Sequence, residues 1–230
     1  RYISVTGVQT CDLPIFWINP LLQKAPYDPV KDFETITLPI KACSVMVVNP
    51  ALPVNSVKDF IALAKAKPGE INYAHGSIAT ASHLTGYLFQ SMTGIRMTFI
   101  PYKGTAQALT DVISGQAHAM FPNAATVTPY IKAGRVKPLA VTCAQPSPLY
   151  PGLPTVGATV PGFEFAVTSG LYAPARTPEP IIRRLHQEVA RFVNSDAIKA
   201  RLAGVGVEPL ANAPQEALAV VKAETALWAK

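Results

Sequence analysis

The chain has 230 residues, of which 49% are hydrophobic and 15% are charged, and its formal net charge is +6 at pH 7. This balance excludes a disordered chain, and the length allows one or two domains with a sizeable core. The basic residues are scattered, so the sequence lacks the basic stripe of a nucleic-acid-binding protein. The charge fits a solvated surface or a weak attraction for small anions. No apolar run approaches the roughly 18 residues that a membrane helix needs.

The cysteine and histidine patterns indicate neither a disulfide framework nor a metal site. The cysteines are odd in number, scattered and without a CxxC motif. The histidines lack HExxH or comparable ligand spacing. We therefore expect no metal, no cofactor and no catalytic residue among them. These residues are Cys11, Cys43, Cys143, His75, His83, His118 and His186.

Residues 1–16 show no hydrophobic period. They resemble translated sequencing-adaptor read-through at the end of a gene fragment, and we treat them as a non-native or artefactual segment. They do not form a signal peptide, because a charged region, an apolar region and a cleavage site cannot be laid out in them.

The next elements are a strand and a capped helix. Residues 42–49 are rich in β-formers and predict a strand that crosses into a new unit. Ser56 is a helix N-cap signal, and Asp59 stands at the third helical position as a variant capping box. Pro68 and Gly69 end this helix.

The stretch from residue 71 to residue 121 is the most informative part of the chain. Short apolar runs at 71–74, 97–100 and 117–121 alternate with helical patterns at 81–92 and 106–114. Small and hydroxyl residues follow each run. This alternation predicts a parallel sheet whose strand ends carry ligand-binding loops, without an obvious catalytic group.

A second crossing strand and two helices complete the pattern. Residues 163–172 predict the strand, Pro178 opens a helix, and residues 214–229 predict a last helix. The helix after Pro178 has four apolar residues on one predicted side: Ile182, Leu185, Val189 and Phe192. Two crossings imply a bilobal α/β protein with a discontinuous lobe 1 (17–47 and 166–230) and a continuous lobe 2 (48–165). We expect hinges near 48–49 and 166–168, and a ligand in the cleft.

The loop after the strand at 71–74 is the first candidate binding loop. Thr80 is a candidate N-cap, and the backbone N–H groups of the following turn could bind a carboxylate. The hydroxyls of Ser77, Thr80 and Ser82 could add hydrogen bonds. The alternative is that these residues only cap the helix.

The second candidate loop follows the strand at 97–100. Gly104 allows close approach of a ligand, and Thr105 can cap the next helix. Lys103 either pairs with a carboxylate or is a solvated charge, and Tyr102 either lines the cleft or fills the core.

The ordered motifs of the chain resemble the Bug family, the substrate-binding proteins of tripartite tricarboxylate transporters. The resemblance covers about residues 17–230 and begins midway through the family pattern. The motifs are YDPVKDF (27–33), VVNP (47–50), YAHGSIATASHL (73–84), PYKG (101–104), ALTDVISGQ (108–116), YIKAG (130–134), LPTV (153–156), PGFE (161–164) and GLYAP (170–174).

The resemblance implies a periplasmic solute receptor with a bilobal, type II-like periplasmic-binding-protein fold. One lobe would be incomplete, because the family's N-terminal third with its signal peptide is missing. The ligand would be a small organic carboxylate, bound in the interlobe cleft and delivered to membrane permease subunits. The protein itself would be neither membrane-embedded nor nucleic-acid-binding.

The resemblance also places site residues and shows departures. Asn123 stands where the family has an asparagine that faces the cleft, but Pro122 replaces an acidic residue. Ala74, Ser77 and Ala79 replace glycines. The predicted ligand-binding set is His75, Ser77, Thr80, Ala81, Ser82, Tyr102, Lys103, Gly104, Thr105, Asn123 and Thr168.

Two other function classes stay open. The chain has no GxSxG nucleophile motif, Walker A loop or GxGxxG after a strand. An α/β hydrolase or transferase is the alternative, with its catalytic residues in the missing N-terminal third. A one-component sensor would need a DNA-binding or membrane segment, and the sequence shows neither.

Overall fold

The computed structural model describes residues 9–12, 16, 20 and 25–228, which fall into two compact units. Unit 1 is formed from Arg1–Lys41 and Val167–Lys230, and unit 2 from Ala42–Ala166. The described strands are β1 (Gln9–Asp12), β2 (Phe33–Cys43), β3 (Val45–Val48), β4 (Asn72–His75), β5 (Thr98–Pro101), β6 (Ala119–Met120), β7 (Lys137–Val141), β8 (Ala166–Pro174) and β9 (Val207–Pro209). The described helices are α1 (Val57–Ala66), α2 (Ala81–Thr93), α3 (Thr105–Ser114), α4 (Ala124–Lys132), α5 (Glu179–Val193), α6 (Asp196–Ala203) and α7 (Pro214–Trp228), with a short 3₁₀ turn at Val156–Ala158.

The sheet of unit 2 has the order β5-β4-β6-β3-β7. The parallel pairing predicted for the strands of 71–121 is confirmed, because β4 pairs in parallel with both β5 and β6. β3 pairs antiparallel with β6 and β7, so the whole sheet is mixed. Unit 2 begins before the predicted crossing at 48–49, because all of β3 pairs within this sheet.

Helix α1 begins with the predicted capping box. The Oγ atom of Ser56 accepts a hydrogen bond from the backbone N–H of Asp59 at 3.1 Å. The Asp59 carboxylate in turn accepts from the backbone N–H of Asn55, one residue before the cap, at 3.0 Å. The first bond satisfies a donor that a helix start leaves without an intrahelical partner, and the second fixes the residue before the cap.

The two faces of the unit 2 sheet are covered by helices. On one face α3 and α4 pack through aliphatic residues, including Leu109, Val112 and Val127, which are almost fully buried. On the other face α2 lies against Tyr73, and Gly86 makes this approach possible. A Cβ atom at Gly86 would stand 2.3 Å from the Tyr73 ring. Parallel strands with helices on both faces direct their carboxyl ends to one common edge.

Cys43 and Cys143 form a disulfide, so the expectation that the cysteines are unpaired was wrong for these two. The pair is separated by 100 residues, but the antiparallel pairing of β3 with β7 places Val45 opposite Val141 and brings the Cα atoms to 5.5 Å. Ser44 and Thr142 also exchange backbone and hydroxyl hydrogen bonds of 2.9–3.1 Å. Cysteine spacing along the chain could not reveal a pair that depends on strand register.

Unit 1 contains a sheet of order β1-β8-β2-β9. β1 pairs antiparallel with β8, Gln9 lying opposite Tyr172. Phe16, Phe33 and Tyr172 belong to one buried cluster. β1 lies within residues 1–16, where the sequence pattern predicts no native element, so this strand is a correction. The rest of that call, on residues 1–8 and 13–15, lies outside the described residues.

Helix α5 confirms a predicted helix but corrects its buried side. Ile182 is buried and Leu185 packs beside it, as expected. Phe192, expected on the same side, is 62% exposed. Phe192 comes ten residues after Ile182, which places it about 80° away around the helix axis. Val193, one residue further, lies on nearly the same side of the helix as Ile182 and is buried. Among the described residues, none of the helices has the length and apolar character of a membrane span.

Candidate ligand-binding loops of unit 2

Three loops lie together at the carboxyl-terminal edge of the unit 2 sheet. They follow β4 (residues 76–80), β5 (102–104) and β6 (121–123), and each leads into a helix. His75 pairs with Pro101 across β4 and β5, and the backbone N–H of Tyr102 donates to the His75 carbonyl at 2.9 Å. The parallel pairing of β4 with β5 therefore places the first two loops next to each other.

The first loop ends in a helix start that no side chain caps. Thr80 occupies the N-cap position with extended backbone angles, but its side chain makes no capping hydrogen bond. The first bond of α2 runs from the N–H of Leu84 to the Thr80 carbonyl at 3.0 Å. The backbone N–H groups of Ala81, Ser82 and His83 have no acceptor among the described residues. Such donors, at the positive end of a helix dipole, favour an anion.

The hydroxyl groups of this loop maintain its shape. Thr80 Oγ1 donates to the Ser77 carbonyl at 2.7 Å and lies 3.2 Å from Ser82 Oγ. Ser82 Oγ accepts from the backbone N–H of Gly76 at 3.1 Å and is buried. Two of the three hydroxyls predicted to bind ligand are thus engaged within the protein, while Ser77 is exposed.

Ala79 lies in a strained part of the same loop. Its φ angle of 65° is in the left-handed region, which favours glycine. The family pattern in the sequence analysis has glycine at this position. The loop therefore keeps the backbone shape that a glycine would adopt, with a methyl group added.

The second loop ends in another open helix start. Gly104 is the N-cap of α3 and has no side chain to offer, so the N–H groups of Thr105, Ala106 and Gln107 have no acceptor among the described residues. A Cβ atom at Gly104 would meet nothing within 4 Å. Lys103 is exposed and forms no ion pair with any described residue, so its ammonium group is available to an anion.

Tyr102 packs against the core. Its ring lies against the aliphatic cluster under α3, and its hydroxyl donates to Asp111 Oδ2 at 2.7 Å. Burial and the Asp111 carboxylate raise the pKa of Tyr102 to about 12. Of the two alternatives for this residue, the structure therefore supports the core position, and the hydroxyl is already occupied.

The third loop contains a capped helix start. Asn123 Oδ1 accepts from the backbone N–H of Ala125 at 2.9 Å and caps α4. Only the side-chain NH₂ group of Asn123 is left to contact a ligand. Thr168, the last predicted site residue, is buried on β8 in unit 1 and is not part of these loops.

His75 and His83 form a ring pair that sequence reasoning missed. Their ring centroids are 4.6 Å apart, one at the end of β4 and the other in the first turn of α2. The Nδ1 atoms of both are buried without a hydrogen-bond partner. Burial lowers the pKa of both imidazoles, and repulsion by His83 lowers that of His75 further. The two rings meet because the loop between them folds back. Their spacing in the sequence matches no known motif, so the sequence did not reveal the contact.

The side chains of the three loops carry a net positive charge. None of the residues 76–80, 102–104 and 121–123 is acidic, and Lys103 carries a positive charge. No group of three or more His, Cys, Asp or Glu among the described residues is arranged to hold a metal ion. The donors at this edge include the backbone N–H groups of the two open helix starts, the Lys103 ammonium group and the Asn123 side-chain NH₂ group, and the helix dipoles add positive potential.

The fold is that of the periplasmic solute-binding proteins, with two α/β units and loops at the carboxyl ends of parallel strands. The model of the tripartite tricarboxylate transporter family receptor, TctC, matches residues 9–230. The chain therefore belongs to this family of solute receptors, as its motifs indicated. The match begins before residue 17, where the sequence resemblance was thought to start.

Curated relatives agree with this assignment. Protein BugT of Bordetella pertussis is 29% identical over 210 residues, which are 91% of this chain and 64% of that protein. A UPF0065 protein in the tcbD-tcbE intergenic region of Pseudomonas sp. strain P51 is 27% identical over 209 residues, 90% of this chain and 62% of that protein. The chain thus spans less than two thirds of the length of each.

Solved structures show the same fold. The R. palustris protein Rpa4515 with adipate is 36% identical with a TM-score of 0.86, over 96% of this chain and 74% of that one. The periplasmic binding protein BugD is 31% identical with a TM-score of 0.84, over 96% of this chain and 75% of that one. MatC from Rhodopseudomonas palustris with bound malate is 26% identical with a TM-score of 0.84, over 96% and 77%. The family and these neighbours are solute-binding receptors rather than enzymes.

Proposed function

We propose that this protein is an extracytoplasmic receptor that binds a small organic carboxylate and delivers it to the permease of a tripartite tricarboxylate transporter. The observation that carries the proposal is the pair of open helix starts at α2 and α3, which follow neighbouring parallel strands. Each start has three backbone N–H groups without an acceptor among the described residues.

Carboxylates suit these donors for two reasons. A carboxylate oxygen accepts hydrogen bonds from backbone N–H groups without needing a charged partner, and the dipoles of α2 and α3 add favourable electrostatics. Lys103 supplies a further charge beside the second start. Two neighbouring open starts suit a ligand with two acidic groups, and the similar proteins with adipate and with malate hold dicarboxylates.

The Cys43–Cys143 disulfide supports a location outside the cytoplasm. Disulfides persist in oxidising compartments such as the bacterial periplasm and are rare in the cytosol. The periplasmic binding protein BugD is a structural neighbour. Delivery to a permease is proposed from the family to which the chain belongs.

Calorimetry with a panel of carboxylates tests the receptor function. We expect the purified protein to bind one member of a panel that includes adipate, malate and citrate in a one-to-one ratio. We also expect chromatography to recover that ligand unchanged after long incubation with the protein. Absence of binding to every carboxylate in a broad panel, or steady formation of a product, would contradict the proposal.

An uncharged analogue of the best ligand sharpens the test. Its full methyl ester keeps the carbon chain but removes every carboxylate charge. We expect it to bind at least about 100-fold more weakly, because the open helix starts attract charge rather than apolar surface. Equal affinity for the ester would show that the recognised group is not a carboxylate.

A further inference from the structure

His75 and His83 form a pair of titratable side chains, the first buried and the second partly buried, that the proposed function does not use. His75 is the last residue of β4 and is only 2% exposed, and His83 lies in the first turn of α2. Their rings are in contact, with centroids 4.6 Å apart. The pair therefore joins the end of β4 to the first turn of the helix that carries the open start.

The surroundings of the pair are aromatic and uncharged. The His75 ring lies near those of Tyr73 and Phe99, and the His83 ring also contacts Phe99. Tyr87 approaches Phe99 from α2. Burial raises the pKa of Tyr73 far above neutrality, so this phenol is uncharged. Lys103 is the one charged side chain in the three loops and stands on the loop next to that of α2.

Part of the hydrogen-bonding capacity of the pair is unused. A neutral imidazole has one donor and one acceptor nitrogen, and a protonated one has two donors. The Nδ1 atoms of both rings are buried and have no partner. Burial in this aromatic environment disfavours the protonated form and lowers the pKa of both rings below the usual 6.5, and repulsion by His83 lowers that of His75 further.

A bound anion would change this balance. The backbone N–H of His83 is itself one of the three free donors at the start of α2. A carboxylate held by those donors lies beside the imidazole of the same residue. Its negative charge favours the protonated form of the pair and offsets the cost of burial.

We propose that the His75–His83 pair couples carboxylate binding at α2 to the uptake of a proton, so that the receptor holds its ligand more tightly as the pH falls. This inference rests on the proposed function. Coupling is reciprocal: if the ligand favours protonation of the pair, protonation favours the ligand to the same degree.

The sign and the pH window follow from the two states. The pKa of the pair is low in the free protein and higher in the complex, so affinity rises as the pH falls through the bound-state pKa and levels off below the free-state pKa. The slope is at most about tenfold in affinity per pH unit for one linked proton. Protonation of the ligand itself, near about pH 4–5 for simple carboxyl groups, acts in the opposite direction, so the linkage appears above that range.

Calorimetry with adipate and malate as probes tests the coupling. Titrations from about pH 7.5 to 5.5, in buffers of different ionisation enthalpy, measure both the affinity and the number of protons taken up. We expect affinity to rise roughly threefold to tenfold over this range, with net proton uptake. His75→Gln and His83→Gln should each flatten the profile and reduce the uptake. His186→Gln, in unit 1, is the matched control and should leave both unchanged.

The outcomes separate this inference from the proposed function. Tight binding with an affinity that does not depend on pH, or proton uptake that survives in His83→Gln, would overturn the coupling and leave the receptor function intact. Absence of binding by either probe and by the wider carboxylate panel would overturn both. Because His83 is only partly buried, His83→Gln keeps the test valid if the buried His75→Gln protein does not fold.

Discussion

The loop edge of the unit 2 sheet has two halves that differ in how their polar groups are satisfied. At β3 and β7, the Cys43–Cys143 disulfide and the hydrogen bonds between Ser44 and Thr142 close the structure. At β4 and β5, two helix starts have backbone N–H groups without acceptors among the described residues. One half is braced, and the other half is open.

The difference shows how the same edge can provide both stability and binding. Unsatisfied donors cost free energy unless water or a ligand reaches them, so they are tolerated where solvent has access. The braced half keeps the strands in register next to the open half. Changes to the braced half should therefore affect unfolding, and changes to the open half should affect ligand binding.

Removing the disulfide should have the largest effect. Replacing both cysteines, Cys43→Ser with Cys143→Ser, releases a closed loop with a sequence separation of 100 residues. We expect the free energy of unfolding to fall by about 2–5 kcal/mol, because the unfolded chain gains conformational freedom. Urea denaturation measures this change, and adipate affinity of the folded protein should stay within about threefold of the original. A large loss of affinity without a loss of stability would contradict the division into two halves.

Capping the open start of α3 should have the next largest effect, and it should act on binding. Gly104→Asp adds a carboxylate where a Cβ atom meets nothing within 4 Å and the backbone is extended, as in an ordinary N-cap. The new carboxylate competes for the N–H groups and repels an anion. We expect a loss of adipate binding of about 1.5–3 kcal/mol by calorimetry, with the free energy of unfolding unchanged or raised by only about 0.3 kcal/mol.

Gly104→Ser is the control for this change. Its hydroxyl caps the helix without adding charge, so it should weaken adipate binding less than Gly104→Asp. Equal binding by the original protein and by Gly104→Asp would show that the start of α3 is not used.

Removing the hydroxyls of the first loop should have an intermediate effect. Thr80→Ala combined with Ser82→Ala deletes the bonds to Ser77 and Gly76 and leaves the Gly76 N–H without its acceptor. We expect a loss of stability of about 1–2 kcal/mol and a weaker affinity, because the loop no longer holds the α2 donors in place. The single variants, measured by denaturation and calorimetry, separate the two hydroxyls. Unchanged affinity in the double variant would limit the loop to a structural role.

Removing the cap of α1 should have the smallest effect. Ser56→Ala deletes the capping bond at the start of α1, and none of the three loops leads into that helix. We expect a loss of about 1 kcal/mol in the free energy of unfolding. Adipate affinity should not change. If Ser56→Ala changed adipate affinity as much as the Thr80 and Ser82 variants do, helix capping rather than ligand contact would explain both effects.

The pH dependence of the same cap gives a separate check. Hydrogen bonds from Asn55 and Ser56 lower the pKa of Asp59, so the ionised form stabilises the fold. This contribution is complete above the unfolded-state pKa and is lost as the pH falls through the folded-state value. The free energy of unfolding of Asp59→Asn, measured at decreasing pH, should therefore fall less than that of the original protein.

Local signals in the sequence predicted the parts of the fold that depend on neighbours in the chain. Ser56 with Asp59, and Pro68 with Gly69, mark the start and end of α1 because capping and helix termination act within one turn. The alternation of strands and helices in 71–121 was right because hydrophobic periodicity is local. The helix start at Thr80 was also found, but whether its hydroxyl caps the helix was not.

Parts that depend on register or on the path of a loop could not be predicted. The Cys43–Cys143 disulfide needs the antiparallel pairing of β3 with β7, and the His75–His83 contact needs the loop to fold back onto α2. The bond from Tyr102 to Asp111 likewise depends on where α3 lies relative to β5. In each case, the spacing of the two residues in the sequence matches no motif that would predict their contact.

The most direct test of the central claim is to observe the open helix starts during ligand binding. Backbone amide spectra of isotope-labelled protein, recorded as adipate or the best carboxylate is added, report on each N–H group. We predict the largest shifts, and new protection from hydrogen exchange, at Ala81–His83 and 105–107, with little change at the capped N–H of Ala125. Stoichiometric binding by calorimetry with unchanged signals at both open starts would contradict the account.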